Sequence, residues 1–320
     1  MYPAKLKPAF KNYLWGGVRL RDEFQLDCGA CDPVAEAWVL SCHPDGPSVV
    51  ANGEQKGKTL QEALEVWGAA ALGTRGAAFK AFPVLIKLID AKQNLSVQVH
   101  PDNEYALAHE GEYGKTEMWY VVDCAPGAFL YHGFQRKLSR AELKERMQSG
   151  TLLDVLHKAE VKKGDCFLIE AGTVHAIGAG LLIAEVQQNS NTTYRMYDYG
   201  RVGADGKRRI LHIDKAADVA VPAPAKRVEC SGFGRLAQCK YFTVDRMAVS
   251  GETGVEAGAD SFVCLLAVEG SGEIRWNEKS YPFRRGECYF LPAGLGEVSV
   301  AGACTLLKTT VSYQPDSKAP

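Results

Sequence analysis

Apolar and polar side chains alternate along most of this chain, in short segments separated by Gly, Pro and Asn. Because side chains on a β-strand point to opposite faces with a period of two, this alternation predicts strands. The predicted strands are 35–41, 83–90, 95–100, 117–123, 129–132, 165–170, 181–188 and 193–197, with a further set between 241 and 311. Many short strands broken by turn residues favour a sandwich or a barrel.

Two segments depart from the alternation and predict helical insertions. Residues 59–72 begin with a Thr-x-x-Glu capping box and continue with apolar residues at helical spacing. Residues 139–157 begin in the same way, with a Ser-x-x-Glu box. We therefore predict a mainly β protein with helical insertions in its N-terminal part.

A stretch rich in Ala and Pro, 216–226, predicts a linker. It divides the chain into a domain of residues 1–226, which would carry the helical insertions, and a domain of residues 227–320.

The two predicted domains share a repeat. Segment 164–175 aligns without gaps with 286–297, and 119–127 aligns with 264–272. Each copy has a Gly turn, a buried strand and an Ala-Gly corner, which are the parts of a small barrel. The Gly-x5-Pro-x-Gly-x2-His pattern resembles the second motif of the cupins. The resemblance implies two cupin, or jelly-roll, β-barrels.

The two copies differ at the positions that carry chemistry. The first copy keeps His175 but has Glu170 where the motif has Pro, a change that could alter the turn before His175. The second copy has Glu297 in place of that His, and Phe262 falls on the position of Glu117. We therefore expect the second barrel to be structural and free of metal.

Composition narrows the class of protein. The 320 residues are 46% hydrophobic and 23% charged, which is ordinary for a soluble globular protein. The formal charge of −1 gives no reason to expect nucleic acid or an anionic membrane as partner. No apolar run is long enough for a membrane helix, and the first residues, which have no charged segment followed by an apolar core, predict no secretory signal. The one dense basic group, Lys207 to Arg209, is interpreted as a solvated loop.

The ten cysteines are spread along the chain, several of them within apolar runs. This distribution is typical of reduced, buried thiols and predicts a cytoplasmic protein. The lone Cys-x-x-Cys motif, Cys28 to Cys31, lacks a second pair and is interpreted as structural rather than as a zinc or redox site.

Four residues form a candidate metal site. Gln98 and His100 lie two apart on one strand face, Glu117 begins another predicted strand, and His175 follows the Gly corner. Two imidazoles and a carboxylate, with a position left for water or substrate, are the donors of a catalytic zinc site. The same set could hold Fe(II) or Mn(II). The amide of Gln98 is a weak neutral donor that either binds the metal or lies beside it.

Basic residues near these positions could bind an anion. Lys115 precedes Glu117 by two, Lys87 lies in an otherwise apolar run, and Arg195 is framed by strand residues. The alternatives are an exposed strand face for Lys115 and Arg195, and for Lys87 a buried ion pair with Glu36. The chain has no phosphate-binding Gly loop and no serine nucleophile elbow, so a phosphate would be held by Lys, Arg and hydroxyl groups.

Six ordered blocks, spread over nearly the full length, resemble the type I mannose-6-phosphate isomerases (phosphomannose isomerases) in their short bacterial form. The blocks are 36–41, 83–90, 95–102, 114–120, 171–178 and 183–198. The resemblance implies one zinc ion per chain, an essential arginine at Arg195 and a sugar phosphate as substrate. It implies zinc ligands at Gln98, His100, Glu117 and His175, and pocket residues at Trp15, Glu36, Lys87, Ser96 and Lys115. Small departures from the family pattern occur at Asn103 and Asn191.

The reaction implied by the resemblance interconverts mannose 6-phosphate and fructose 6-phosphate through a cis-enediol. Lys115 and Arg195 would hold the phosphate or the enediolate charge. Three candidates for the proton-transferring base stay open: zinc-bound hydroxide, Lys115 and Glu36. Two other classes also fit the motifs, an Fe(II) cupin oxygenase and a non-enzymatic sugar-binding bicupin. The chain is expected to be a monomer or a homodimer.

Overall fold

The computed structural model describes residues 1–203, 206–226 and 234–312. Its strands are β1 (Ala4–Lys7), β2 (Ala9–Lys11), β3 (Glu36–Leu40), β4 (Val49–Val50), β5 (Val84–Ala91), β6 (Val97–Val99), β7 (Glu117–Cys124), β8 (Phe129–Phe134), β9 (Leu156–Glu160), β10 (Cys166–Ile169), β11 (His175–Ile177), β12 (Leu181–Gln188), β13 (Tyr194–Tyr197), β14 (Gly234–Gln238), β15 (Phe242–Ala257), β16 (Val263–Trp276), β17 (Lys279–Arg284), β18 (Cys288–Leu291) and β19 (Gly296–Val311). Its α-helices are α1 (Arg19–Asp22), α2 (Leu60–Trp67), α3 (Gly73–Gly76), α4 (Asn103–His109), α5 (Arg140–Ser149) and α6 (Ile213–Val219).

The strands form three antiparallel sheets. One has six strands in the order β10-β7-β12-β5-β3-β2, and one has five in the order β13-β6-β11-β8-β9. The third has eight strands, β14-β15-β19-β16-β18-β1-β4, with β17 paired to β16. Because β1 pairs with β18, the first strand of the chain belongs to the sheet of the C-terminal part.

The two faces of the six-stranded sheet are both buried, and successive residues of β7 show this. Trp119 and Val121 pack with Leu130 of β8 in a core shared with the five-stranded sheet. Met118 and Tyr120 point the other way, into a core shared with the eight-stranded sheet. This is the period of two expected for a strand covered on both sides. The six-stranded sheet is therefore the middle layer of the molecule.

The sequence-based strands up to residue 197 are all present, with ends within two residues of those predicted. The mainly β character is confirmed. The first predicted helix has the expected capping box: the backbone N–H of Glu62 donates to Thr59 Oγ1, and that of Thr59 donates to the Glu62 carboxylate. Gly68, at φ 76°, then ends α2, and Ala69–Leu72 form a separate 3₁₀ turn.

The second predicted helix starts where expected but was predicted to end too late. α5 begins after Ser139 as expected but ends at Gly150, which adopts the left-handed conformation with φ 75°. A 3₁₀ turn follows at Leu152–Val155, and β9 starts at Leu156. The apolar residues beyond Gly150 are therefore buried by a turn and a strand rather than by a helix.

The predicted linker at 216–226 was wrong for its first part. Ala216 and Ala217 lie on α6 and are buried in the core beside the five-stranded sheet. Pro224 bridges to Gly133 of β8, so the chain after α6 also packs against the protein. Alanine is a strong helix former, and composition alone does not separate a buried helix from a linker. The predicted boundary between 226 and 227 adjoins residues 227–233, which lie outside the described part.

The strand register corrects one detail of the repeat. Glu117 pairs with Ile169, and Val263 pairs with Leu291. Since Leu291 is the repeat partner of Ile169, Val263 rather than Phe262 occupies the position of Glu117. Val263 also packs in the internal core of the C-terminal sheet, whereas Phe262 is buried in the core shared with the six-stranded sheet. The second copy therefore still has an apolar residue in place of Glu117, but that residue is Val263.

The nine cysteines of the described residues are free thiols, and Cys230 lies outside those residues. Cys28 and Cys31 are both half-buried and unbonded to each other. In the part of the chain that the structure describes, every helix is too short or too polar to span a bilayer.

Candidate active site

Strand pairing brings the candidate ligands together from distant parts of the sequence. Gln98 on β6 pairs with His175 at the start of β11, and on its other side with Arg195 on β13. His100 lies just past the end of β6, and Glu117 begins β7. Because paired residues on neighbouring strands share a face, these side chains converge in the space between the six- and five-stranded sheets.

His100, Glu117 and His175 form a compact cluster. The Nε2 atom of His100 is 3.4 Å from Glu117 Oε2, and that of His175 is 3.3 Å from Glu117 Oε1. The donor atoms of all three residues lie within 4.8 Å of one another, and each side chain is at most 1% exposed. It is the one such group of His, Cys, Asp or Glu found among the described residues.

Backbone carbonyls fix the tautomer of both imidazoles. His100 Nδ1 donates to the carbonyl of Thr192 at 3.0 Å, and His175 Nδ1 donates to that of Thr173 at 2.8 Å. A carbonyl can only accept, so Nδ1 carries the proton and Nε2 presents a lone pair. Both lone pairs therefore point toward Glu117. This is the arrangement that orients histidines around a metal ion.

The protonation states in the cluster are consistent with neutral imidazoles that carry their proton on Nδ1. Burial lowers the pKa of His100 to about 3, with the Lys115 ammonium acting in the same direction, and burial also lowers the pKa of His175. Burial alone would raise the pKa of Glu117, but Lys115 at 3.1 Å holds it well below its usual value. Neutral imidazoles thus face an ionised carboxylate.

The imidazole Nε2 atoms and the carboxylate oxygens of the cluster are better suited to bind a cation than to contact one another. His100 Nε2 and both carboxylate oxygens of Glu117 are buried and form no hydrogen bond of good geometry, although the Lys115 ammonium is in ion-pair contact with Oε2. Leaving such groups unsatisfied is costly, and lone pairs that face one another repel. A divalent ion between them would satisfy all three residues at once. Gln98 lies next to them, with its amide nitrogen 3.3 Å from His175 Nε2.

A cavity of about 280 Å³ adjoins the cluster through Gln98, which contacts His175, and Lys115, which contacts Glu117. Its lining includes every predicted pocket residue, Trp15, Glu36, Lys87, Ser96 and Lys115, together with Gln98 and Arg195. A second cavity of about 670 Å³, lined by Tyr2, Trp67 and Trp276 among others, contains none of them. The chemistry therefore selects the smaller cavity as the candidate site.

Lys87 forms buried ion pairs and also lines the cavity. Both sequence-based interpretations of it, a buried ion pair and a basic residue near the site, therefore apply. Its ammonium is 3.3 Å from Glu185 and 3.8 Å from Glu36, and it lies over the ring of Trp38. The indole N–H of Trp38 donates to Glu36 at 2.6 Å, and that of Trp119 donates to Glu185 at 2.9 Å. Burial raises the pKa of Glu185, and the charge of Glu117 adds to the increase.

Sequence reasoning missed Tyr13, Glu185 and Arg209, which also line the cavity. Glu185 carried a usable signal, because it is an acid within the apolar strand 181–188, as Lys87 is a base within 83–90. The interpretation of Lys207 to Arg209 as a solvated loop was wrong for its last member. Lys207 and Arg208 are exposed, but Arg209 turns inward and pairs with Asp198.

Two family models match this chain. One, described as the catalytic domain of type I phosphomannose isomerase, matches residues 4–120, and one described as the cupin domain of mannose-6-phosphate isomerase matches residues 233–311. The first match includes His100 and Glu117.

Individual proteins agree with the family models. The mannose-6-phosphate isomerase ManA of Bacillus subtilis is 40% identical over 316 residues, which are 94% of this chain and 96% of ManA. A crystal structure of the mannose 6-phosphate isomerase from Bacillus subtilis matches with a TM-score of 0.87 at 37% identity, covering 97% of this chain and 99% of that one. A mannose 6-phosphate isomerase solved with zinc and yttrium has the same fold, with a TM-score of 0.76 at 20% identity over 97% of this chain and 100% of the other.

Proposed function

This chain belongs to the type I phosphomannose isomerase family, and we propose that it interconverts mannose 6-phosphate and fructose 6-phosphate. The observation that carries the proposal is that Gln98 and Lys115, which contact the His100–Glu117–His175 cluster, also line a cavity with four cationic side chains in its wall. A cavity with convergent polar groups beside a metal-type donor set is the expected form of an enzyme active site. The cations suit an anionic sugar.

We propose zinc as the cofactor, one ion per chain, held by His100, Glu117 and His175 with Gln98 as a neighbour. Two imidazoles and one carboxylate are the donors of many catalytic zinc sites, and a solved member of the same fold was crystallised with zinc. When bound, the ion supplies a positive charge that polarises substrate oxygens. Because Nδ1 of both histidines donates to a backbone carbonyl, the Nε2 lone pairs would be free to hold the ion.

Arg195, Lys115 and Ser96 are assigned to the substrate. Arg195 is half-buried on β13, and its Nε has no hydrogen-bond partner, so it can bind an anion entering the cavity. Lys115 is held by Glu117 at 3.1 Å and is nearly fully buried, which places its charge close to the sugar end of the cavity. Charges fixed in advance stabilise a developing oxyanion without having to reorganise during the reaction. Trp15 forms an apolar wall.

The reaction moves a proton between C1 and C2 through a cis-enediol, so one group must take it from carbon and return it. The carboxylates that line the cavity are Glu36 and Glu185, which share Lys87. Lys115 is the third candidate. Glu185 is suited to this work because its raised pKa lets it hold a proton closer to neutral pH than an exposed acid.

At the level of the whole chain, we propose two cupin-type units, residues 1–226 with the metal site and residues 227–320 without one. β1 belongs to the first unit in sequence but pairs with β18 of the second. A cytoplasmic location and a monomeric or homodimeric state stay predictions.

A coupled assay with mannose 6-phosphate tests the proposal. We expect turnover by the purified protein, its loss after dialysis against a chelator, and its return when zinc is added. Measured oxygen uptake serves as the control, because an iron oxygenase would consume oxygen with a sugar substrate. No isomerisation by the zinc-loaded protein would overturn the proposed function.

A further inference from the structure

Arg209 is fixed at the wall of the cavity by an acid that is itself buried. Its Nε donates to Asp198 Oδ2 at 2.7 Å, and its Nη2 donates to Oδ1 at 2.5 Å. Asp198 is only 5% exposed. This two-point contact holds the planar guanidinium in one orientation. Its third nitrogen, Nη1, has no partner among the described residues, although Arg209 lines the cavity.

The surroundings of Arg209 carry more positive than negative charge. Arg201 also pairs with Asp198, at 2.6 Å, and Arg195 lies close enough to sense the charges of Arg209, Arg201 and Asp198. Two guanidinium groups therefore pair with one carboxylate, and the third, Arg195, lies near them without pairing with it. Burial, with the like charge of Arg209, lowers the pKa of Arg195. Like charges gathered around a cavity are stabilised when an anion enters.

Arg195 has an unused donor in the same region. Its Nη1 donates to the carbonyl of Ile210 at 3.0 Å, while its Nε is buried without a partner. Ile210 directly follows Arg209, so this bond ties the Arg195 side chain to the segment that carries Arg209. The two arginines, from β13 and from the loop after it, thus both line the cavity and are connected through this bond.

We propose that Arg209 binds the phosphate group of the substrate and makes the enzyme select phosphorylated over unphosphorylated hexoses, with Asp198 as the positioning residue that orients it. This assignment rests on the proposed function and adds to it a residue for substrate selection. Arg209 and Arg195 hold the phosphate between them, while the sugar end of the substrate faces Lys115 and the metal cluster. Because Asp198 orders the guanidinium before binding, less conformational freedom is lost when the phosphate arrives.

The test compares Arg209→Gln with Arg208→Gln. Arg208 is the neighbouring arginine and is exposed, so its replacement removes the same charge outside the cavity. For Arg209→Gln we expect the KM for mannose 6-phosphate and the inhibition constant of inorganic phosphate to rise by about 10- to 100-fold, the effect of losing a charge-assisted hydrogen bond. We expect kcat to change less than about threefold, and zinc content to stay the same. Arg208→Gln should match the wild type in all four quantities.

Two further variants separate binding from a structural role. Arg209→Lys keeps the charge but loses the two-point hydrogen-bond geometry of the guanidinium. Its KM should therefore fall between those of the wild type and Arg209→Gln. Asp198→Asn should raise KM with little change in kcat, as expected when Arg209 is no longer oriented. Unchanged KM and phosphate inhibition in Arg209→Gln would overturn the assignment, as would a loss confined to kcat.

Failure of the proposed function would look different. A wild-type protein that does not isomerise mannose 6-phosphate refutes the function itself. Binding of inorganic phosphate, measured by calorimetry on the wild type and on Arg209→Gln, tests the anion site without any turnover. Equal affinity in the two proteins would then refute the role of Arg209 alone.

Discussion

The Nδ1–H group of His100 donates to the backbone carbonyl of Thr192 at 3.0 Å, across 92 residues of sequence. This one bond decides which nitrogen of the imidazole faces Glu117. Thr192 lies in the loop between β12 and β13, so the metal cluster depends on a segment that contributes none of its three members. Bonds of this kind orient a histidine and raise its basicity toward a metal.

Glu112→Ala should weaken metal binding although Glu112 lies outside the cluster. Its Oε2 accepts from the Asn191 backbone at 3.2 Å, from Thr192 Oγ1 at 3.2 Å and from Ser190 Oγ at 3.4 Å, and so holds the loop that orients His100. We expect the zinc dissociation constant to rise by roughly 10-fold, the lower end of the range for partners of metal ligands. Competition with a chelator measures it. Glu104→Ala, on the exposed side of α4, is the matched control, and equal affinities would show that the loop does not depend on Glu112.

His175→Ala should lose bound metal and activity together. The variant removes one of three donors and leaves Glu117 facing Lys115 and His100 only. Elemental analysis should find less than about a tenth of the wild-type zinc, and turnover should fall by on the order of 10³-fold, the loss of several kcal/mol of stabilisation. His157→Ala, at an exposed position on β9, should behave as the wild type. An active His175→Ala protein without metal would refute the site.

Arg195→Ala should retain zinc and lose turnover. Arg195 pairs with Gln98 through the backbone of β13, but its side chain donates to Ile210 and not to the cluster. The metal donors are therefore undisturbed, whereas one of the two charges that hold the phosphate is removed, with an expected fall in kcat/KM of about 10²- to 10³-fold. Zinc content and steady-state kinetics on one preparation decide this. Arg140→Ala on α5 removes a charge elsewhere, and wild-type kcat/KM in Arg195→Ala would exclude Arg195 from substrate binding.

Lys87→Met should destabilise the fold far more than Lys5→Met. Lys87 lies between two buried carboxylates, and its loss leaves Glu36 and Glu185 without a countercharge. Breaking a buried pair in this way costs about 3–5 kcal/mol of the free energy of unfolding. The closer pair of Lys5 and Glu287, at 2.7 Å, is partly exposed and contributes less than about 1 kcal/mol. Urea unfolding of both variants measures the difference; similar values would mean that burial does not decide the strength of these pairs.

Glu297→Ala should leave zinc at one ion per chain. Glu297 replaces the motif histidine in the second repeat, and the structure places it on an exposed part of β19, opposite Glu256. A single exposed carboxylate offers too few donors to hold zinc. Metal analysis of the variant and the wild type should agree within error. A drop from two ions to one would reveal a second site in the C-terminal part.

Local sequence patterns were enough to predict the strands up to residue 197, the starts of two helices and the residue types of the candidate metal site. Period-two alternation and capping boxes are local, so they can be detected in a single segment such as 181–188 or 59–62. The motif around His175 and the pairing of Gln98 with His100 were equally local. Where the deciding contact was distant, the local pattern failed, as it did for the buried alanines of α6.

Which of these groups meet depends on the pairing of strands from distant parts of the sequence. The sheets bring His100, Glu117 and His175 within 4.8 Å, and Thr192 sets the tautomer of one of them from a separate loop. Arg209 belongs to a basic run whose composition is that of a solvated turn, and its inward direction follows from a buried carboxylate eleven residues earlier. The direction of a charged side chain depends on the partner that the fold supplies, and the partner is not part of the local pattern.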